Sequence, residues 1–374
     1  MSGRLDEYRR KRDAKRTPEP IPDEPTPRGG NDTFVIQQHH ARRLHWDLRL
    51  ERDGVLVSWA VPRGIPRDPD TNHLAVHTED HPLEYATFAG DIPAGEYGGG
   101  HVSIYDRGRY VTEKWRDDEV VVVFDGARVT GRYVLFHTSG KDWMIHRMDP
   151  PEPGWTPMPD RIEPMLASTA DRLPTDDGSW GYELGWAGLR AIGYVSGGRL
   201  RLLDARGEDI TSGYPELRAM AESLAPTECV LDGEVVALDA DGHVSAKRLG
   251  RRTGEPDASA TRRLATEVPV LYFATDLLWL DGRSTLDEPY QRRRALLTEL
   301  GVAGPYWQTP PHFTGGGDFA LDTSREQGLS EVVAKRLDST YQPGRRSPDW
   351  LTIAPKNDPK SSPNSNRTND RKKR

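Results

Sequence analysis

The chain has 374 residues, of which 35% are hydrophobic and 29% charged, and its formal net charge is −7 at pH 7. The length predicts about two domains, and the lack of any long apolar run argues against membrane helices and a secretory signal. The single cysteine, Cys229, excludes an intramolecular disulfide framework and any Cys-rich zinc site. We therefore expect a soluble cytoplasmic protein with no membrane partner.

Positive charge is concentrated at both ends of this acidic chain. Residues 1–16 contain seven Lys or Arg and three acids, and residues 356–374 contain seven and two. Such ends are either solvated arms or arms that contact nucleic-acid phosphates. We predict a basic, Pro-rich lead-in over residues 1–32 and a disordered basic tail over 357–374.

Short β-rich runs separated by Gly, Asp and Pro follow the lead-in, and no stretch before residue 148 has a helical period. Many short strands at this spacing predict an all-β, closed or nearly closed antiparallel barrel over residues 33–149. The predicted strands are Phe34–Gln38, Leu44–Glu51, Val55–Ala60, Leu74–His77, His101–Tyr105, Tyr110–Trp115, Val120–Phe124, Tyr133–His137 and Trp143–His146.

A Pro-rich linker is predicted over residues 150–162, and the pattern after it is mixed. Residues 163–356 are predicted to form an α+β domain, which makes the chain multidomain. The predicted helices are Pro215–Ala225 and Asp287–Leu300, and the predicted strands are Val230–Leu238 and Glu331–Leu337.

One predicted strand carries chemistry on a single face. Because strand side chains alternate, His45, Asp47 and Arg49 share one face and the apolar residues between them share the other. His39 has the same parity if the extended geometry reaches back to it. Two imidazoles and a carboxylate can hold Mn²⁺ or Zn²⁺, and a guanidinium can bind two phosphate oxygens. The alternative is a solvent-facing strand with ion pairs.

The first domain resembles the 3′-phosphoesterase module of the bacterial non-homologous end-joining ligases, ligase D. The matching motifs are H-x5-H-x-D-x-R from His39, S-W-A-V-P-R-G from Ser58, E-D-H-P-L-E-Y from Glu79, and G-D-I-P-A-G-E-Y-G-G-G from Gly90.

This resemblance implies a manganese-dependent enzyme, with Zn²⁺ or Co²⁺ as other candidate ions, that removes a 3′-phosphate or a 3′-ribonucleotide and leaves a 3′-hydroxyl. His73 stands where the family is expected to have a phosphate-binding arginine, so a permanent charge is replaced by a titratable one. The implied metal ligands are His39, His45 and Asp47; the implied catalytic residues are His81, Arg49, Tyr85 and Glu79; and the implied phosphate or DNA contacts are Arg49, Arg63 and His73.

From Glu163 to about Ala354 the chain resembles the nucleotidyltransferase-fold adenylation domain of ATP-dependent DNA ligases. Their nucleophile motif E-x-K-W-D-G-x-R reads E-L-G-W-A-G-L-R here, with Gly185 and Ala187 in place of lysine and aspartate. A glycine side chain cannot attack ATP. Thr275, Ser330, Thr352 and Ala354 also depart from the family pattern, whereas Arg190, Arg206, Glu234 and Lys335 match it.

The sequence therefore predicts a metal-dependent 3′-end-processing phosphoesterase for double-strand-break repair, fused to an inactive ligase-like domain. That second domain is either a scaffold for DNA ends or a degenerate domain without function. The alternatives are an active ATP-dependent ligase that uses another lysine, and a non-enzymatic protein that binds DNA ends. The expected partners are DNA ends and a Ku-like end-binding protein, the expected location is the cytoplasm at the nucleoid, and ATP is not an expected cofactor.

Overall fold

The computed structural model describes residues 3–22, 29–253 and 257–355. The predicted basic tail, residues 357–374, lies outside the described residues. Within the described ranges, no helix is both long enough and apolar enough to cross a lipid bilayer.

A short helix and nine strands make up the first unit. The helix α1 lies in the lead-in, where the sequence showed no helical period. The elements are α1 (Asp6–Arg10), β1 (Thr33–His40), β2 (Leu44–Arg52), β3 (Val55–Val61), β4 (Asn72–His77), β5 (Gly90–Ile92), β6 (Gly100–Trp115), β7 (Glu119–Gly126), β8 (Thr130–Ser139) and β9 (Asp142–Arg147).

Eight of these strands form a closed antiparallel barrel, so the predicted architecture is confirmed. They run in the order β1-β2-β3-β4-β9-β8-β7-β6, and the pairing of β1 with β6 closes the sheet while β5 extends it from β6. Two predicted strands, His101–Tyr105 and Tyr110–Trp115, are one strand, β6. The pairing of β6 with β1 shifts in register between Ile36 and Gln37, and β6 continues through this shift as a single strand.

Apolar side chains fill the barrel because they alternate along its strands. Trp46, Leu48 and Leu50 of β2 are buried in one cluster with Trp59 of β3 and Phe124 of β7. The opposite side chains of β2 are thereby directed away from this core, which leaves them for the site described below.

The second unit is α+β, as predicted, and contains two sheets. One has the order β10-β20-β19-β11-β18, and the other has the order β13-β12-β14-β15-β16, with β17 paired to β15. The strands are β10 (Leu166–Thr169), β11 (Trp180–Gly185), β12 (Leu189–Ser196), β13 (Arg199–Asp204), β14 (Cys229–Ala237), β15 (Val270–Leu280), β16 (Arg283–Ser284), β17 (Trp307–Gln308), β18 (Phe313–Thr314), β19 (Glu331–Arg336) and β20 (Arg346–Ile353).

Five helices pack on these sheets, and three of them were not predicted. The helix predicted over Asp287–Leu300 begins only at Tyr290, because Pro289 is its N-cap residue in an extended conformation. The one predicted over Pro215–Ala225 starts as a 3₁₀ turn before becoming α-helical. The helices are α2 (Ala219–Leu224), α3 (Ala246–Gly250), α4 (Ala258–Glu267), α5 (Tyr290–Leu300) and α6 (Gly317–Glu326).

Candidate active site

Two neighbouring strands of the barrel bring two histidines and an aspartate together. His39 of β1 and His45 of β2 are Cα partners across the strand pair, and Asp47 lies two residues further along β2. Asp47 carboxylate oxygens lie 3.7 Å from His39 Nδ1 and 3.6 Å from His45 Nε2. One candidate ligand atom from each residue lies within 4.8 Å of the others. We call His39, His45 and Asp47 the triad.

The outward ring nitrogens of both histidines are held by backbone carbonyls. His39 Nε2 lies 2.8 Å from Gly98 O, and His45 Nδ1 lies 3.0 Å from Arg43 O. If these nitrogens carry the protons, the nitrogens that face Asp47 keep their lone pairs, as metal-binding histidines require. Each imidazole thus has a nitrogen within 3.7 Å of an Asp47 oxygen, and one candidate ligand atom from each of the three residues lies within 4.8 Å of the others, close enough to share one ion. The triad therefore fits a divalent metal ion.

Asp47 is ionised at neutral pH although it is buried. Burial alone would raise the pKa of its carboxyl group, but the Arg49 guanidinium and the two imidazoles more than reverse this and hold that pKa well below its usual range. An ionised carboxylate is the form that ligates a cation.

Arg49 is the centre of a buried hydrogen-bond network behind the triad. Its Nη2 donates to Asp47 at 2.9 Å, its Nε donates to Gln37 at 2.7 Å, and its Nη1 donates to Ser58 at 3.0 Å. Nη1 also lies 2.9 Å from His81 Nδ1. These bonds fix the guanidinium plane beside the carboxylate, where one further N–H group of Nη2 can meet a phosphate oxygen.

His81 lies between two guanidinium groups. Arg49 Nη1 approaches its Nδ1, and Arg12 Nη2 lies 3.4 Å from its Nε2. Burial, followed by the charges of Arg49 and Arg12, holds the pKa of His81 well below its usual range. The imidazole is therefore neutral at pH 7 while no anion is bound.

The lead-in covers this network instead of extending into solvent as a free arm. Arg12 donates to Glu79 at 3.0 Å and to Glu19 at 2.8 Å, and Glu19 accepts the Tyr85 hydroxyl at 2.9 Å. The ring of Tyr8, which is fully buried, makes an edge contact with His81 at 5.0 Å between centroids. The implied catalytic residues Glu79, His81 and Tyr85 thus share one cluster with residues that precede the barrel.

Sequence reasoning assigned no role to Arg12, Glu19, Gln37 or Ser58. Arg12 lies in Y-R-R-K-R-D (residues 8–13) and Glu19 in T-P-E-P (residues 17–20), two lead-in segments that also resemble the phosphoesterase module, and this resemblance was the available signal. Gln37 and Ser58 could have been found from register, because Gln37 pairs with Asp47 and Ser58 pairs with Arg49 in the barrel.

For the phosphoesterase activity that the resemblance implies, replacing Arg12 by alanine is expected to lower kcat/KM about ten- to hundred-fold, because it removes a buried cation that positions Glu79 and Glu19 around His81. Steady-state kinetics on a 3′-phosphorylated primer–template would measure this. Arg10→Ala is the matched control, since Arg10 is an exposed arginine in α1. Equal rates for both variants would show that the lead-in plays no part.

Arg63 and His73 lie elsewhere, in a cleft of about 1250 Å³ between the two units. His73 Nδ1 is 2.7 Å from Gly64 O, and its strand parity matches that of buried Ala75, not that of the triad face. Burial lowers the pKa of His73, and Arg63 lowers it further, so His73 supplies no permanent charge. The predicted phosphate contacts of these two residues remain predictions, at a place apart from the triad.

In the second unit, the nucleophile position is filled by its neighbour across the sheet. Gly185 of β11 is the Cα partner of Glu331 of β19. A Cβ atom added to Gly185 would lie 2.5 Å from Glu331 Cγ and 2.9 Å from the Glu331 carbonyl oxygen. Burial, together with the nearby carboxylate of Glu234, raises the pKa of Glu331. The missing lysine is thus accompanied by loss of the space that it would need.

The residues that match the ligase pattern are mostly engaged with other side chains. Lys335 Nζ forms a buried ion pair with Glu183 at 2.8 Å. The strand partner of Lys335 is Gly181, near the start of β11, whereas Gly185 is the last residue of that strand. Arg190 forms a two-pronged pair with the buried Asp232. The two remaining matches are Glu234, which accepts the Gly188 N–H at 2.8 Å, and Arg206, which is exposed in a turn. Ala187, which stands in place of the motif aspartate, has a positive φ of 52°.

Comparison with known proteins assigns both units. Residues 37–137 match the family described as DNA Ligase D 3′-phosphoesterase domain, and residues 164–353, just over half of the chain, match the ATP dependent DNA ligase domain. The chain belongs to the ATP-dependent DNA ligase family. Within that family it combines the phosphoesterase and ligase domains of ligase D.

Its relatives in the ligase family include longer proteins. The chain is 46% identical to the multifunctional non-homologous end joining protein LigD of Mycobacterium bovis, over 94% of this chain and 45% of the relative. It is 33% identical to the Pseudomonas aeruginosa protein of the same name, over 93% of this chain and 47% of that protein. The chain thus spans about half the length of these relatives.

The comparison with solved structures gives a partial match. The matched structure is described as mycobacterial DNA ligase D complexed with ATP and MES, and it is 38% identical with a TM-score of 0.46. The match covers 52% of this chain and 60% of that chain.

Proposed function

We propose that the barrel is a divalent-metal-dependent 3′-phosphoesterase that removes a 3′-phosphate or a 3′-ribonucleotide from DNA ends and leaves a 3′-hydroxyl. The observation that carries this proposal is the triad of two imidazoles and a carboxylate, next to the fixed guanidinium of Arg49. The family match and the names of the relatives, which refer to end joining and repair, support the same function. Mn²⁺ is the proposed ion, with Zn²⁺ or Co²⁺ as substitutes.

When bound, the ion would supply positive charge that stabilises the phosphate oxygens and activates water. The protein's own side chains would bind and orient the phosphate. Arg49 orients the phosphate through its remaining N–H group, and its position is fixed by Gln37 and Ser58.

His81 is proposed to gain a proton when substrate binds. Burial and two guanidinium groups keep His81 neutral in the free protein, but a phosphate dianion beside Arg49 and Arg12 would offset the guanidinium charge and raise the pKa of His81. A protonated His81 can then stabilise the transition state or donate a proton to the leaving oxygen.

The experiment that tests this function is incubation of the protein with a 3′-phosphate primer–template and a panel of Mn²⁺, Co²⁺, Zn²⁺ and Mg²⁺. We expect conversion to a 3′-hydroxyl end with Mn²⁺ and none in EDTA. No conversion with any of the metals would refute the phosphoesterase proposal. DNA binding that survived His45→Ala and fell steeply with salt would then favour a non-enzymatic end-binding protein.

We propose that the ligase-family domain forms no adenylate. Residues 163–355 contain two lysines, Lys247 and Lys335. Lys335 is buried in its ion pair with Glu183, and Lys247 is exposed on α3. The domain would then act as a platform for DNA ends, in a repair complex at the nucleoid in the cytoplasm that a Ku-like protein could recruit, or it would have no role of its own.

Gly185→Ala is expected to destabilise the ligase-family domain by about 1–3 kcal/mol, because the new methyl group would overlap Glu331. Thermal unfolding of the full chain would show this as a lower Tm. Gly178→Ala is the matched control, since a Cβ atom there meets nothing within 4 Å, and its effect should stay within about 0.5 kcal/mol. Equal Tm values for the two variants would contradict the steric account.

A further inference from the structure

A glycine-rich loop between β5 and β6, residues 93–99, borders the triad. The carbonyl oxygen of Gly98 holds His39 Nε2 at 2.8 Å, and a Cβ atom on Gly98 would lie 3.8 Å from His39 Cε1. Tyr97 immediately precedes this glycine. A nucleotide whose phosphate lies at the triad would therefore have this loop as a direct neighbour.

Tyr97 is anchored at its hydroxyl end and exposed elsewhere. The hydroxyl accepts a hydrogen bond from Lys11 Nζ at 3.2 Å and lies 3.5 Å from Glu79 Oε2. The Arg12 guanidinium carbon is 5.3 Å from the ring centroid. Even so, 49% of the residue is accessible to solvent. The ring therefore has a fixed position beside the cationic cluster of the site and a surface that is open to a ligand.

The chemistry of this position suits a nucleobase. Aromatic side chains bind single-stranded DNA by stacking on its bases, with little preference for sequence, and neighbouring cations bind the backbone. Lys11 supplies such a cation, since its Nζ lies 4.6 Å from the ring centroid and its side chain is 21% exposed.

We propose that the Tyr97 ring stacks on the terminal base of the DNA strand whose 3′-phosphate is bound at the triad. This inference rests on the proposed phosphoesterase function and adds a subsite to it. The subsite recognises the end as a nucleotide, whatever its base, in addition to the phosphate group.

The test compares the wild type, Tyr97→Leu and Tyr97→Phe on two 3′-phosphate oligonucleotides, one with a terminal base and one abasic at the terminal sugar. For the substrate with a base, Tyr97→Leu should raise KM about ten-fold with little change in kcat. For the abasic substrate the same variant should match the wild type. Tyr97→Phe keeps the stacking ring and loses only the hydroxyl contacts with Lys11 and Glu79, so its KM for the substrate with a base should stay closer to the wild-type value than that of Tyr97→Leu.

Equal losses on the two substrates would overturn the proposal, because a loop-holding role does not depend on the base. An unchanged KM for Tyr97→Leu would overturn it as well. If the wild type shows no turnover, the phosphoesterase function fails separately. Fluorescence anisotropy with the same two oligonucleotides then decides the stacking proposal, which requires the variant to weaken binding only where the terminal base is present.

Discussion

His45→Ala is expected to lower the rate of 3′-phosphate hydrolysis at least about 1,000-fold. The imidazole supplies one of three ligands to the proposed ion, whose charge stabilisation is worth several kilocalories per mole in the transition state. The side chain is partly exposed, at 22%, and is not part of the barrel core, so the fold should persist. Steady-state kinetics at saturating Mn²⁺, with calorimetric titration of Mn²⁺, would measure both the rate and the loss of metal affinity.

The matched control for this variant is His101→Ala. His101 is an exposed histidine of β6, the strand on the other side of β1 from β2. It contacts Asp91 and takes no part in the triad. We expect this variant to keep the rate and the Mn²⁺ affinity of the wild type. If His45→Ala retains activity, or if the two variants lose the same amount, the triad does not hold the catalytic ion.

The wild-type protein should form no covalent adduct with α-labelled ATP. Adenylation needs a nucleophilic lysine, and Gly185 has no side chain that could act as one. Glu331 also fills the space into which a side chain at position 185 would extend. Loss of a covalent nucleophile removes several orders of magnitude in rate. Gel detection of labelled protein, with a ligase that retains the E-x-K-W-D-G motif as positive control, would give signal in the control alone.

Gly185→Lys should not restore the adduct by itself. The lysine Cβ atom would overlap Glu331, and the chain would still depart from the family pattern at Ala187, Thr352 and Ala354. An acid-labile adduct on the wild type would overturn the proposal and support an active ligase. Lys335→Ala and Lys247→Ala would then show which described lysine of the domain carries the nucleotide.

The barrel could be predicted largely from sequence because its strands are short, closely spaced and alternate in polarity. This alternation also placed His45, Asp47 and Arg49 on one face, and the structure has them there. His39 joined them because β1 and β2 pair in a register that sets it opposite His45.

The rest of the site depends on contacts between segments that are distant in sequence. Arg12 and Glu19 reach the cluster through the fold of the lead-in, whose helix α1 has only five residues and therefore too weak a period to be recognised. His73 is a different case. The resemblance implies phosphate binding by this residue, which stays a prediction, and the structure places it in the lining of the cleft between the units, apart from the triad.

In the ligase-family domain, the loss of lysine at Gly185 could be read directly. The sequence could not show that Glu331 fills the space beside Gly185. The two residues are 146 positions apart, and only the pairing of β11 with β19 brings them together.

The measurement that tests the central claim most directly is the location of Mn²⁺ in crystals of the protein. Anomalous diffraction at the manganese edge should show one peak within bonding distance of His39 Nδ1, His45 Nε2 and an Asp47 carboxylate oxygen, at about 2.0–2.2 Å. A protein that hydrolyses 3′-phosphate ends while its manganese peak lies away from these three residues would contradict the account.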